Sequence, residues 1–168
     1  METMLACQMS GAEVKQMAKE VHAGHLFEYI FDSRDRIARN AAWVLTHKPA
    51  QELMLLEQER LVNLALTTQE TSLRRLVLAL IERQGIKKDD IRTDFLDFCL
   101  KHMMMMEEPA GVQALCLKLA YQMCHYYPEL EREFEESLKL MPADQFKPGV
   151  RHLIKKLRGE RVPIKKKQ

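Results

Sequence analysis

Residues 32–45 read DSRDRIARNAAWVL and carry the pattern that decides the fold. Within them, Ala38, Ala41, Ala42 and Leu45 recur at positions i, i+3, i+4 and i+7, which places these side chains along one face of an α-helix. A half-buried strand would instead need apolar and polar residues to alternate, and we find no stretch that does so. The segment therefore predicts an amphipathic helix with one buried face.

The same spacing returns further along the chain. It recurs at residues 73–80 and 112–119, and a weaker copy lies at 14–21. A second helical segment follows each strong copy, at about 50–66, 90–104 and 129–141. The strong copies begin 35 and then 39 residues apart. One helix pair cannot bury its apolar faces alone, so a pair that recurs at such a period is typical of an α-solenoid. We predict an all-α fold, an α-α superhelix of about four helix pairs; an up-down helical bundle is the structural alternative.

Prolines mark the predicted helix starts. Each precedes a periodic run, where a proline is tolerated because the first helical turn has no partner for its missing N–H. These prolines are Pro49, Pro109, Pro128 and Pro148. Gly85 and Gly149 are predicted to lie at or beside turns, and the short connections favour antiparallel neighbouring helices.

The segment 32–45 also resembles the first helix of a HEAT repeat, in which an acidic or small turn leads into a basic residue and an alanine-rich stripe. Over roughly residues 11–158, the chain resembles small HEAT-like proteins of bacteria, of the Bacteroidetes in particular. The resemblance implies a short HEAT- or armadillo-like solenoid. It also implies that the second helix of each pair lines a concave side.

Length and composition set the class of protein. The 168 residues fit one domain, so we predict a single helical-repeat domain over 1–168 with a basic tail at about 159–168. An apolar fraction of 46% argues against disorder, and no apolar run approaches the ~18 residues that cross a bilayer. The first ten residues make a poor secretion signal. These features predict a cytoplasmic protein that does not enter a membrane.

The motif search argues against an enzyme. The chain has no P-loop, no G-x-G-x-x-G, no H-E-x-x-H and no G-x-S-x-G. His22 and His25 are three residues apart, but no acid or cysteine nearby completes a metal site. Cys116 belongs to a predicted core stripe and is interpreted as a buried structural cysteine. We therefore predict a protein without catalytic residues, metal or cofactor.

A HEAT-like DNA glycosylase is the remote enzymatic alternative. The alkylpurine glycosylases of this type use a basic concave face with exposed tryptophans and a carboxylate. The chain has one tryptophan, Trp43, which is predicted to lie on a core-facing helix. The chain departs from the glycosylase pattern in both the tryptophans and the charge of the predicted inner face.

The charge of +2 is unevenly distributed. Residues 147–168 hold nine Lys and Arg against Glu160, or +8, so the first 146 residues carry −6. The predicted second helix at 128–146 carries −4, whereas the first helix at 34–48 carries +3. We therefore predict an acidic concave face and a more basic outer ridge, on which Arg34, Arg36 and Arg39 would lie.

The leading hypothesis is a protein-interaction module or scaffold that holds a basic peptide or protein partner on its acidic concave face. The predicted contact residues are Glu129, Glu133, Glu136, Asp90, Asp94 and Asp97. The alternative is a nucleic-acid-binding accessory protein that uses the basic C-terminal segment. Its predicted contacts are Lys155, Lys156, Arg158, Arg161, Lys165, Lys166 and Lys167. Solubility alone would also explain both charge clusters.

Overall fold

A computed structural model describes residues 1–160 and places no strand among them. The predicted all-α class is therefore confirmed. The chain divides into two compact units, of which the first is Met1–Gly85 and the second begins at Ile86. The single domain inferred from chain length stays a prediction. Among the helices of residues 1–160, none has both the length and the apolar character that crossing a bilayer requires.

The first unit is built around two long stripe helices. Its helices are α1 (Glu2–Ala6), α2 (Gly11–Glu20), α3 (Ala23–Tyr29), α4 (Asp35–Leu45), α5 (Ala50–Leu53), α6 (Gln58–Thr67) and α7 (Thr71–Gln84). Helix α4 contacts α1, α2, α3 and α7, and helix α7 also contacts α5 and α6. The predicted stripe of α4 is buried over its whole length, from Ala38 to Leu45. These two helices therefore hold the core of the first unit.

The second unit is centred on one helix. Its elements are a 3-10 turn (Lys88–Asp90), α8 (Thr93–His102), α9 (Ala110–Cys124), α10 (Pro128–Leu140), a second 3-10 turn (Ala143–Gln145) and α11 (Pro148–Leu157). Helix α9 contacts α8, α10 and α11. Leu117 is fully buried although it lies outside the predicted stripe, whereas Leu115, within the stripe, is only half-buried. A helix enclosed by three neighbours has more than one buried face, which a single-stripe pattern cannot describe.

The predicted helix starts and turns agree with the structure, with one exception. Pro49 and Pro109 directly precede α5 and α9, and Pro128 and Pro148 are the first residues of α10 and α11. Gly85 ends α7 with φ of 73°, a left-handed conformation that costs glycine little. The exception is Gly149, which lies in the first turn of α11. A proline at the first helical position allows the helix to begin before that glycine.

The helices pair differently from the sequence prediction, in which each stripe helix is followed by its partner. The most extensive contacts join α3 to α4, α6 to α7 and α8 to α9, so each stripe helix pairs with the helix before it. The turn between α6 and α7 is short, and the guanidinium of Arg74 donates to the carbonyl oxygens of Ala65 and Thr68 across it. Such a turn keeps α6 and α7 antiparallel and adjacent. The stripe helix is thus the second member of each of these pairs.

Candidate functional site

A groove of about 440 Å³ opens on the surface of the first unit, between α4, α7 and the segment that follows α1. It is lined by Cys7, Gln8, Met9, Arg36, Arg39, Asn40, Trp43, Ser72, Arg75 and Leu76. Three of these residues are arginines and none is acidic. We refer to this feature as the arginine groove.

Helical spacing aligns the side chains of the arginine groove. Arg36, Arg39 and Trp43 lie three and then four residues apart on α4, so they occupy successive turns of one face. Ser72 and Arg75 are three residues apart on α7 and present a second aligned wall. The two helices are in contact, which brings both walls to one opening.

A buried amide holds the third wall in place. The side-chain nitrogen of Asn40 donates to the carbonyl oxygens of Leu5 and Cys7, over 2.8 Å and 2.9 Å. These bonds tie the end of α1 and the start of segment 7–9 to α4. Met9, at the end of that segment, is buried, while Cys7 and Gln8 are exposed. Asn40 therefore positions a wall of the groove.

The positive charges of the groove are weakly compensated. Arg39 approaches Glu70 at 3.9 Å, and the Glu70 carboxylate also accepts a hydrogen bond from the backbone N–H of Leu73. Arg36 and Arg75 are exposed and have no hydrogen-bond or ion-pair partner within residues 1–160. Two guanidinium groups can thus meet a ligand without breaking an existing contact.

The structure adds a groove to what the sequence predicts for these residues. Arg36 and Arg39, which the sequence places on an outer ridge, line this groove together with residues of α7 and segment 7–9, and the outer ridge itself stays a prediction. Trp43 lies on a helix that faces the core, as predicted, but its own side chain is half-buried and lines the same groove. The sequence feature that could have indicated this groove was the spacing of Arg36, Arg39 and Trp43. The sequence did not indicate that Arg75 would join them.

Arg34 has a separate, structural role. Its guanidinium forms ion pairs with Asp32 at 2.8 Å and with Glu2 at 2.7 Å. Hydrogen bonds from the Arg34 side chain and backbone lower the pKa of Asp32 from 3.8 to about 2. These contacts hold the start of α4 against α1, so Arg34 does not belong to the groove.

The predicted acidic contact residues lie in the second unit. Glu129, Glu133 and Glu136 are exposed on α10, and the buried side chains Phe134 and Leu138 anchor that helix. Within residues 1–160 none of the three glutamates has an ion-pair partner. Beside Glu129, a cleft of about 330 Å³ is lined by Tyr127, Pro128, Glu129 and Leu130. These three glutamates define the acidic face of α10.

The predicted aspartates do not all share that setting. Asp94 is held by Arg92 at 2.7 Å, and this guanidinium lowers the pKa of Asp94. Asp90 ends the 3-10 turn before α8, and Asp97 is exposed on α8 itself. The aspartates therefore lie on or before α8, a different element from the three glutamates.

The predicted basic residues divide into three groups. Lys155 is half-buried and Lys156 is exposed on α11. Arg158 is largely buried and its guanidinium donates to the carbonyl oxygens of Leu138, at 2.6 Å, and Met141, so it closes the end of α10. The remaining predicted contacts lie outside the described residues; these are Arg161, Lys165, Lys166 and Lys167.

The four cysteines differ in burial, and His22 has a structural role. Cys99, Cys116 and Cys124 are buried, whereas Cys7 is exposed. The Nδ1 atom of His22 accepts a hydrogen bond from the backbone N–H of Gly24 and caps α3. Residues 1–160 contain no group of three His, Cys, Asp or Glu side chains that could hold a metal ion.

Comparison with known proteins gives one match. A family model described as a HEAT repeat domain matches residues 1–160. No curated protein and no solved structure matches the chain. The match covers both units and agrees with a superhelical repeat fold built from helix pairs.

Proposed function

The chain belongs to the HEAT repeat domain family, and from this membership we propose that it is a non-catalytic scaffold whose acidic face on α10 holds a basic segment of a partner protein. The family is generally non-catalytic and generally mediates protein interactions. The observation that carries the finer proposal is the exposure of Glu129, Glu133 and Glu136 without ion-pair partners in the described part of the chain.

Folding alone gives a poor account of this face. Phe134 and Leu138 provide the packing of α10, and the three glutamates point away from them. Like charges at i,i+4, such as Glu129 and Glu133, destabilise a helix by about 0.2–0.5 kcal/mol per pair. A glutamate in the first turn is favoured by the helix dipole, but this effect fades before Glu133 and Glu136.

The cleft beside Glu129 supplies a second attraction. Tyr127 is exposed and Leu130 is half-buried, so the cleft presents apolar surface next to carboxylates. A peptide with Lys or Arg and one apolar side chain would match both features. Electrostatic attraction would speed its association, while burial of the apolar side chain would slow its release.

The experiment is a charge reversal at Glu129, Glu133 and Glu136 to Lys. Binding of a fluorescein-labelled Lys-rich peptide with a central Leu is measured by anisotropy. We expect binding to be lost and the melting temperature to change little, because the three side chains are exposed and do not take part in the packing of Phe134 and Leu138. The helical circular dichroism signal should stay the same.

A matched control reverses three exposed acidic residues elsewhere. Glu59, Asp89 and Glu107 are exposed and lie outside α10, so their reversal to Lys changes the net charge equally. We expect this variant to keep most of the peptide binding. Equal loss in both variants would mean that overall charge, and not the face on α10, governs binding, and the proposal would fail.

A second candidate function is nucleic-acid binding through the basic C-terminal segment. The observation that favours it is the pair Lys155 and Lys156 on α11, directly before the cationic sequence of residues 161–167. Counterion release predicts a log–log salt slope of about −0.9 for each duplex phosphate neutralised. Deleting residues 159–168, or replacing Lys155 and Lys156 by Gln, should make this slope shallower. If the full chain does not bind a DNA duplex at low salt, this candidate is excluded.

A further inference from the structure

We infer that the arginine groove of the first unit is a second binding site, which takes an acidic peptide segment with one large apolar side chain. The site lies in a different unit from the acidic face of α10 and has the opposite charge, so it stands independently of the function proposed above. Its ligand is identified by chemistry: carboxylates to meet the arginines and an apolar group to meet Trp43.

The positive charges of the three arginines favour carboxylates. Arg36 and Arg75 reach solvent without a partner in residues 1–160, and Arg39 meets only the distant Glu70 carboxylate. Three guanidinium groups around one opening repel one another, and an anion between them removes that repulsion. Arginine also presents paired N–H donors that match a carboxylate in a bidentate geometry. The three arginines are therefore suited to two or more acidic side chains.

Trp43 gives the groove apolar surface that favours an apolar side chain. It lines the groove and is half-buried, so part of its ring meets solvent there, whereas Met9 and Leu76 are only 9% and 5% exposed and add little. A volume of about 440 Å³ is ample for one large side chain and its backbone. Apolar anchors in a desolvated pocket, surrounded by polar contacts, carry most of the energy in typical interfaces. A purely anionic small molecule would leave this apolar surface unused.

The charge of the surrounding unit favours a peptide over a nucleic acid. Residues 1–85 hold ten Lys and Arg against eleven Asp and Glu, a net charge of −1. Nucleic-acid-binding domains are usually basic along an extended face, because their affinity grows with the number of phosphates neutralised. Asp35 immediately precedes Arg36, and Asp32 is near in sequence. A nucleic-acid strand would extend beyond the arginines onto surface that is not basic, whereas a short acidic segment would not.

The chain contains two reporters for this site. Trp43 is the single tryptophan and lines the groove, so its fluorescence should change when the groove is occupied. Cys7 lines the same groove, and it is exposed while Cys99, Cys116 and Cys124 are buried. Occupancy should therefore slow alkylation of Cys7 in the native protein.

The experiment titrates the full chain with a synthetic Glu-rich peptide carrying a central Leu. A peptide with Gln in place of Glu tests the need for charge, one with Ser in place of Leu tests the apolar anchor, and poly(dT) tests a nucleic acid. We expect the Glu-rich peptide with Leu to shift the Trp43 emission and protect Cys7 most strongly. Equal binding of the Gln peptide, or a stronger response to poly(dT), would overturn the proposal.

Variants connect the binding to the arginines. Replacing Arg36 and Arg75 by Gln should weaken binding about tenfold or more for each guanidinium, the usual size for a hydrogen bond between charged groups. Lys15 and Lys19 are exposed on α2 of the same unit, so K15Q/K19Q removes the same charge and should bind as the parent does. R36K/R75K keeps the charge but loses the bidentate geometry, so its affinity should fall between the two.

Two further measurements keep the outcomes distinct. Unchanged affinity in the R36Q/R75Q variant, with a normal helical signal, would overturn the proposal. Should that variant unfold, the single Arg36→Gln variant provides the same test, because Arg36 is exposed and without a partner among the described residues. Reversal of Glu129, Glu133 and Glu136 should leave acidic-peptide binding intact, so failure at one site is separable from failure at the other.

Discussion

The side-chain nitrogen of Asn40 donates a hydrogen bond of 2.8 Å to the carbonyl oxygen of Leu5, 35 residues earlier in the chain. Asn40 lies on the buried side of α4, and Leu5 is fully buried. The same amide also satisfies the carbonyl oxygen of Cys7. One polar group thus joins α1 to the core of the first unit and holds a wall of the arginine groove.

Replacing Asn40 by Ala should loosen this connection. The carbonyl oxygen of Leu5 would lose its partner in a buried setting, and that of Cys7 in a partly buried one, at a cost of about 1–3 kcal/mol in the free energy of unfolding. Urea denaturation measures this change, and native-state alkylation of Cys7 should become faster. The exposed Gln51→Ala variant should change neither quantity. Parental stability and Cys7 reactivity in the Asn40 variant would contradict the assigned role.

Leucine truncations should follow burial in the structure more closely than the sequence stripe. Leu80→Ala and Leu119→Ala each empty a fully buried site and should destabilise by about 2–5 kcal/mol. Leu115→Ala, at a half-buried stripe position, should cost clearly less. Glu135→Ala, on an exposed position, provides the reference. An equal loss at Leu115 and Leu119 in chemical denaturation would contradict the burial assigned to α9.

Thiol reactivity should separate Cys7 from the other cysteines. Burial, and then the neighbouring Cys116, raises the pKa of Cys99 well above its usual value. Burial, and then Glu133, raises the pKa of Cys124 to about 11. Because the thiolate is the reactive species, iodoacetamide at about pH 8 should modify Cys7 in the folded protein and all four cysteines in denaturant. Mass spectrometry counts the adducts, and rapid native modification of Cys99 would be inconsistent with its burial.

The same shifts make stability depend on alkaline pH. A thiol whose folded pKa is raised favours the folded state while it stays protonated. Its contribution is complete below the unfolded value of 9.0 and is lost as the pH rises through the folded value.

The ion pair between Asp32 and Arg34 should contribute to stability only above strongly acidic pH. The folded pKa of Asp32 is lowered from 3.8 to about 2, so its contribution is present above 3.8 and disappears as the pH falls through about 2. Asp32→Asn should therefore melt below the parent at neutral pH, and the two should converge near pH 2. Glu135→Gln, at an exposed position on α10, is the control for a lost charge. A constant difference between parent and Asp32→Asn over this pH range would contradict the assignment.

Much of the helical framework was predictable because it follows from local patterns. The stripe at Ala38–Leu45 and the proline starts depend on spacing within one or two helical turns, and the structure agrees with them. The exposure of Glu129, Glu133 and Glu136 is consistent with the same kind of spacing, since Phe134 and Leu138 lie on the opposite, buried side of α10. Periodicity identifies a buried face wherever a helix has a single one.

The sequence by itself determined the all-α class, the positions of the main helices and their principal apolar faces. Only the tertiary structure decided which helices pair, why Leu117 is buried, and where Arg36, Arg39, Trp43 and Arg75 meet. Those features depend on contacts between residues far apart in the chain, as in the hydrogen bond from Asn40 to Leu5. A stripe specifies that a face is covered but not which element covers it, so the arginine groove arises only once α4, α7 and segment 7–9 have packed together.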